Sequence, residues 1–213
     1  RLARCARRQG IPGVYFIPPQ IWAWREKRAR HIASTVDRVI SILPFEEPFY
    51  RKHGVDSVYV GHPFAATVRP TMERERFFET VSIPPSGTTV TLMPGSRRNE
   101  VMRHMPVLME IVDILSRIRS DISFVIPLAD TIDQEVIDQF IRSRPNVKTA
   151  RSIAHDALAY SNAAVVTSGS ATLEAAILGV PTAVIYRISK LSFALAKCLV
   201  TVSYVSLPNL IAG

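Results

Sequence analysis

Short β-branched and apolar runs alternate along this chain with stretches whose apolar residues recur at helical spacing. Val14 to Ile17 reads as a strand, Arg25 to Ala33 as a basic helix, and Asp37 to Leu43 as a strand. Glu46 to Lys52 reads as a short helix and Ser57 to Val60 as a strand ending at Gly61-His62-Pro63. Thr67-Val68-Arg69-Pro70 reads as a linker. A charged helix from Glu73 to Glu79 and the loop Pro84-Pro85-Ser86-Gly87 open a second set. Its strands centre on Val90, Phe124, Val147, Val165 and Val184, with a helical segment between each pair. The clearest helix places Val101, Met105, Leu108, Ile111, Val112 and Leu115 on one face. This alternation predicts an α/β fold of parallel sheets with right-handed crossovers. The linker divides it into two domains, residues 1–68 and 69–213, with a substrate cleft expected between them.

Two strand–turn–helix junctions carry the candidate chemistry. The apolar run Ala163-Ala164-Val165-Val166 leads into Ser168-Gly169-Ser170-Ala171-Thr172-Leu173-Glu174. A small-residue turn at a helix start exposes backbone N–H groups that can hold a phosphate. Glu174 follows in the first turn, where a carboxylate can accept hydrogen bonds from a ribose diol. The competing reading is an ordinary helix start, with Ser168 or Ser170 capping and Glu174 complementing the dipole. The second junction runs from Thr88–Met93 into Pro94-Gly95-Ser96-Arg97-Arg98-Asn99-Glu100. Gly95 permits a tight turn, Ser96 can cap, and Arg97 offers a bidentate fork for phosphate. The bland alternative is a solvated Arg-Arg pair after a capped turn. Two such junctions favour a nucleotide site at the carboxyl edge of a parallel sheet.

Composition narrows the choices. The 213 residues hold 47% hydrophobic and 21% charged residues, enough apolar content for a real core. Lys and Arg number 26 against 18 Asp and Glu, a formal charge of +8 that favours an anionic partner. Cys5 and Cys198 are far apart, so no disulfide framework is expected and a reducing compartment is favoured. Neither turn matches the dinucleotide fingerprint or the nucleoside-triphosphate loop. No Asp-x-Asp, His-Glu-x-x-His or Cys cluster supports a catalytic metal. No signal peptide is visible in this sequence and it holds no unbroken apolar run of about 18 residues, so no spanning helix is expected. Both ends of the chain look cut, and a piece of a longer protein is the expectation.

Several strings together resemble the lipid-A-disaccharide synthase family. They are Pro19-Gln20-Ile21-Trp22-Ala23-Trp24-Arg25, Leu43-Pro44-Phe45-Glu46, Gly61-His62-Pro63, Pro94-Gly95-Ser96-Arg97 with Glu100, and Ser168 to Glu174. Gly179-Val180-Pro181, Tyr186-Arg187 and Tyr204-Val205-Ser206-Leu207-Pro208-Asn209-Leu210 complete the series. The resemblance covers essentially the whole chain. It implies a GT-B glycosyltransferase with two Rossmann-like domains, metal-independent and without a cofactor. It would transfer 2,3-diacylglucosamine from UDP-2,3-diacylglucosamine to 2,3-diacylglucosamine 1-phosphate, giving lipid A disaccharide 1-phosphate and UDP. Such an enzyme works peripherally on the cytoplasmic face of the Gram-negative inner membrane, and an oligomer is allowed. By resemblance, Gly95, Ser96 and Arg97 with the turn Ser168, Gly169, Ser170 and Thr172 would hold the pyrophosphate. Glu174 would hold the ribose, while Glu100, Tyr186, Arg187 and Asn209 lie in strings of the donor site. Read alone, Pro208-Asn209 is a turn.

The sequence departs from that pattern at Ala66, where an Asp is usual, and at Pro18, where Ser is common. The family's essential aspartate, the general-base candidate, would lie upstream of Arg1, and its last helices beyond Gly213. The chain by itself is therefore expected to be inactive. Trp22, Trp24 and Arg25, with Lys27, Arg28 and Arg30, read as a lipid-side contact or as packed Trp beside a solvated helix face. His62 reads as a phosphate contact or a satisfied loop histidine. His31, His53, His104 and His155 read as surface, and Leu191, Phe193, Leu195, Lys197 and Leu199 as a core helix. Arg1, Arg4, Arg7 and Arg8 read as a solvated face, without the aromatic pattern that reads nucleic acid. The competing functions are another UDP-GlcNAc enzyme (a peptidoglycan N-acetylglucosaminyl transferase or an epimerase) and a non-catalytic membrane-binding module.

Overall fold

The computed structural model describes residues 2–188 and 204–213. The expectations for Cys198 and for the helix carrying Leu191 to Leu199 lie outside the described residues. The chain forms two compact units. The first contains residues 1–66 and Asn209–Gly213; the second contains Thr67–Ile188 and Val205–Pro208. The division falls between Ala66 and Thr67, near the expected 68/69 boundary, but Asn209 groups with the first unit.

The first unit has a parallel sheet of β1 (Val14–Phe16), β2 (Arg38–Ser41) and β3 (Ser57–Tyr59), in that order. Its core joins Ile21, Ala29, Ile32, Val36, Val39, Tyr50 and Val55. The expected helix from Arg25 to Ala33 is instead a 3₁₀ turn, Glu26–Arg28, followed by α2, Ala29–Ala33. The helix α3 spans Glu46–Lys52, as its pattern predicts.

The second unit is a five-stranded parallel sheet. Its strands are β4 (Thr88–Met93), β5 (Ile122–Leu128), β6 (Val147–Arg151), β7 (Ala163–Thr167) and β8 (Thr182–Ile185). They lie in the order β6-β5-β4-β7-β8. All five strands fall where the β-branched runs predict them; β4, β5 and β7 are buried nearly throughout, as strands covered on both faces must be, while the edge strands β6 and β8 are only partly covered. The long helix α6 (Arg98–Ile118) buries Val101, Met105, Leu108, Met109 and Val112 against Leu92, Phe124, Ile126 and Val165. The helical period holds, with Met109 also buried and Ile111 and Leu115 at the rim. Each such fully buried side chain contributes about 1.5–3 kcal/mol. Strand alternation sends Val125 to the opposite face, where it meets Phe77, Phe78 and Val81 of α5 (Arg74–Val81) and Ala157 of α8 (Ala154–Tyr160). On that face α9 (Ser170–Ile177) packs Ala175 against Ala164 and Val166.

Asp156 ties the start of this unit to α8. It is 1% exposed and accepts hydrogen bonds from the Thr71 N–H (2.7 Å), the Thr71 hydroxyl (2.8 Å) and the Met72 N–H (2.9 Å). Among the described residues, no helix is long and apolar enough to cross a membrane.

Candidate functional site

The order of strands decides where a ligand can enter. From β4 the chain builds outward through β5 to β6, then returns to place β7 on the other side of β4. The helices after β4 and β7 pack on opposite faces, α6 with Leu92 and Val165, α9 with Ala164 and Val166. The carboxyl ends of β4 and β7 therefore diverge at a topological switch point, where α/β folds bind ligands. A cavity of about 550 Å³ lies there. Gly95, Ser96, Arg97 and Glu100 line one side, and Ser168, Gly169, Ser170 and Glu174 line the other. Gly95 and Ser170, 75 positions apart, thus line one cavity. Asp130, Ser152 and Ala154, which no motif singled out, also line it.

The turn after β4 is closed by its own side chains. Gly95 has φ +112°, and a Cβ there would lie 2.8 Å from Glu100 Oε2. The Glu100 carboxylate folds back to accept from the Ser96 N–H (3.3 Å) and from Arg97 Nη1 (2.6 Å). Burial works to raise the pKa of Glu100, but the hydrogen bond and charge of Arg97, with the Ser96 and Arg97 N–H groups, outweigh it. The carboxyl is held below its usual range. Arg97, not Ser96, occupies the helix cap position, and its side chain makes no capping bond. The Ser96 carbonyl is engaged instead, accepting from the Thr131 hydroxyl at 2.6 Å. The first amides of α6, at Arg98 and Asn99, have no carbonyl a turn earlier to bond.

The turn after β7 is held by backbone. Gly169 stands at the cap of α9 with extended geometry, φ 161°, and no side chain caps the helix. Neither Ser168 nor Ser170 fills the expected capping role. Ser168 donates its hydroxyl to the Val205 carbonyl (2.8 Å) and its N–H to Ile185 (2.9 Å). Thr172 lies beneath the turn, 1% exposed, with its hydroxyl donated to the Gly169 carbonyl at 2.7 Å. It shapes the loop rather than lining the cavity. The Ser170 and Ala171 amides start the helix on the cavity wall, without intrahelical acceptors. Glu174 Oε2 lies 3.2 Å from His155 Nε2, with the two side chains 16% and 30% exposed.

Three histidines read as surface are not. His155 pairs with Glu174, and His104 is 2% exposed inside α6. His104 Nδ1 is 3.2 Å from the Pro94 carbonyl, and its Nε2 is 3.1 Å from the Arg187 N–H. His53 is also partly enclosed, with Nδ1 at 2.9 Å from the Phe49 carbonyl and Nε2 at 3.1 Å from Glu26. Single-residue spacing carried no signal for these partners, because each comes from a distant element or the preceding turn.

Other predicted residues are placed elsewhere. Tyr186 is 56% exposed just after β8, and Arg187 is exposed with its N–H on His104. Asn209 is exposed and grouped with the first unit; Pro208-Asn209 lies within a helix, Leu207–Ala212, not a turn. In the first unit, the Trp22 indole N–H donates to Glu46 at 3.0 Å, and its ring meets Phe45 edge-on at 4.7 Å. Trp24 is 44% exposed beneath the Arg25 guanidinium, 4.1 Å away. Glu46 is buried, and this raises its pKa against the lowering effect of Trp22 and the Leu43 and Ile42 N–H groups. His62 accepts the Phe64 N–H at Nδ1 (3.1 Å), and burial lowers its pKa. No cluster of three metal-ligating side chains occurs among the described residues.

An α/β unit with paired helix N-termini at a switch point defines a Rossmann-like class of fold. Solved structures share the fold. A UDP-GlcNAc 2-epimerase from Neisseria meningitidis, bound to UDP-GlcNAc, aligns at TM-score 0.60 and 16% identity, over 99% of this chain and 62% of that one. The Staphylococcus aureus MnaA–UDP structure aligns at TM-score 0.63 and 13% identity, over 99% and 60%. The fold is therefore the α/β class of GT-B glycosyltransferases and UDP-GlcNAc epimerases. The family described as lipid-A-disaccharide synthetase matches residues 1–213, and this chain belongs to it. The lipid-A-disaccharide synthase of Syntrophus aciditrophicus is 44% identical over 214 residues, and that of Geobacter sulfurreducens 38% over 213. The chain is covered completely in both comparisons and spans 56% of each relative.

Proposed function

We propose that this chain carries the UDP-sugar site of a lipid-A-disaccharide synthase. The whole protein would transfer 2,3-diacylglucosamine from its UDP derivative to 2,3-diacylglucosamine 1-phosphate. The observation that carries this reading is the meeting of two helix N-termini and Glu174 at one cavity of about 550 Å³. The helix-start amides suit a pyrophosphate. Glu174, with one oxygen on His155, has its other oxygen for a ribose hydroxyl. Arg97 is 79% exposed and ion-paired to Glu100, so it can turn toward phosphate while the helix keeps its carboxylate. Direct displacement at the sugar C1 would invert its configuration. The amides and Arg97 would stabilise charge developing on the leaving UDP. Asn209, Tyr186 and Arg187 would contribute to donor recognition, and an acidic residue of the whole protein would activate the acceptor hydroxyl. The reading is of metal-independent transfer. It places the whole protein peripherally on the cytoplasmic face of the inner membrane, with Trp22, Trp24, Arg25 and His62 on the lipid and acceptor side.

Calorimetric titration of the full-length protein with UDP, using NAD and GMP as controls, tests the donor half. UDP-selective binding that disappears in Arg97→Ala and Glu174→Ala is the expected result. Absence of UDP binding would reject the reading. Turnover that requires acylated donor and acceptor separates this enzyme from other UDP-GlcNAc enzymes.

A further inference from the structure

We infer that His104 is a positioning residue of the nucleotide site, coupling the turn after β4 to the segment after β8. The inference rests on the reading of the cavity as a UDP site. Three observations carry it. His104 is 2% exposed, so its polar atoms need protein partners. Those partners are both main-chain groups: the Pro94 carbonyl at the mouth of β4 and the Arg187 N–H just beyond β8. β4 and β8 are not neighbours; β7 lies between them. The imidazole therefore joins two segments that the sheet's own ladder does not.

The ring's chemistry fits this bridge. Nε2 receives an N–H and so must present a lone pair, leaving Nδ1 to donate to the Pro94 carbonyl. Only the neutral tautomer with hydrogen on Nδ1 satisfies both contacts. A helix directs its side chains toward its own N-terminus, which is how residue 104 reaches back to Pro94. Pro94 directly precedes Gly95, whose positive φ makes the turn, so fixing the Pro94 carbonyl fixes the entry to the phosphate turn. Arg187 is held by its backbone, which leaves its side chain exposed and its stem anchored.

The two contacts can be removed separately. Asparagine places an amide nitrogen near the Nδ1 position, so His104→Asn keeps a donor for Pro94 but has no acceptor for Arg187. Glutamine reaches the Nε2 position with a carbonyl oxygen, so His104→Gln keeps the Arg187 acceptor. UDP titration and thermal unfolding are measured for the full-length wild type and both variants. Each variant breaks one end of the bridge, so both should weaken UDP binding about tenfold, His104→Asn through the freed Arg187 segment and His104→Gln through the freed Pro94 turn. Melting temperatures of the two ligand-free variants should agree. Equal affinity in all three proteins, or losses that only follow a fall in melting temperature, would overturn the assignment. If wild type binds no UDP, the UDP reading fails, and hydrogen exchange at the Arg187 amide decides the coupling. Protection in wild type and His104→Gln with fast exchange in His104→Asn supports it; equal exchange rejects it.

Discussion

The turns after β4 and β7 occupy equivalent places on one sheet and solve the same problem differently. Both must leave a strand, reverse tightly and start a helix with amides exposed. The turn after β4 is braced by charged and aromatic side chains: Glu100 folds onto Ser96 and Arg97, and His104 holds Pro94. The turn after β7 is braced by small residues and main chain, with Ser168 on Ile185 and Val205 and Thr172 on Gly169. The first therefore has movable charge to offer a ligand, while the second offers fixed dipoles. A phosphate site that combines both gains mobile charge from one side and preorganised donors from the other.

The largest expected break in this comparison comes from the glycines. Gly95→Ala places a methyl against Glu100 at a positive φ, so unfolding stability should fall by about 1–3 kcal/mol and UDP binding should weaken at least tenfold. Gly169→Ala, in extended backbone with its nearest neighbour 4.0 Å from the new Cβ, should change denaturant stability by no more than about 0.5 kcal/mol. Equal effects at both sites would erase the distinction between the turns. Next is Arg97→Ala, expected to lower kcat of the full-length enzyme at least about tenfold through lost transition-state stabilisation. An unchanged kcat would return the work to the amides alone. Glu174→Gln should weaken UDP about tenfold while changing affinity for pyrophosphate little, since the charged acceptor serves the ribose. Parallel losses for both ligands would place Glu174 with the phosphates instead.

The smallest effect is a pH signature of the first turn. The folded-state pKa of Glu100 lies below the unfolded 4.5, so its contribution to stability is present above that value and is lost as pH falls through the folded pKa. Glu100→Gln should be about 0.5 kcal/mol less stable than wild type at neutral pH, as expected for a partly exposed pair. The difference should close in acid unfolding curves below the lowered pKa. A gap that persists there would mean that the carboxylate's charge does not brace the turn.

The sequence made the strand–helix alternation legible because burial on both faces of a parallel sheet demands continuous apolar strands, and because α6 repeats its apolar residues at the helical period. The two turns were legible for a related reason: a small-residue break between a strand and a helix has few structural uses. Their serines misled, since a capping residue and a residue one position before the cap look alike in a string. The split of the basic segment at Glu26–Arg28 and the helix at Leu207–Ala212 were likewise settled by neighbours rather than propensity.

What the sequence by itself determined is therefore local: elements with strong periodicity, the turns between them, and the motifs that identify the family. The tertiary structure alone decided which of those pieces meet. It put Gly95 and Ser168 on one cavity by reversing strand order at β4. It also turned two scattered histidines into partners, one for Glu174 and one for Pro94 and Arg187. A histidine's role depends on the polar groups within about 3 Å of its two nitrogens. Those groups lie as far as 83 positions away along this chain, a distance over which residue spacing carries no geometric information.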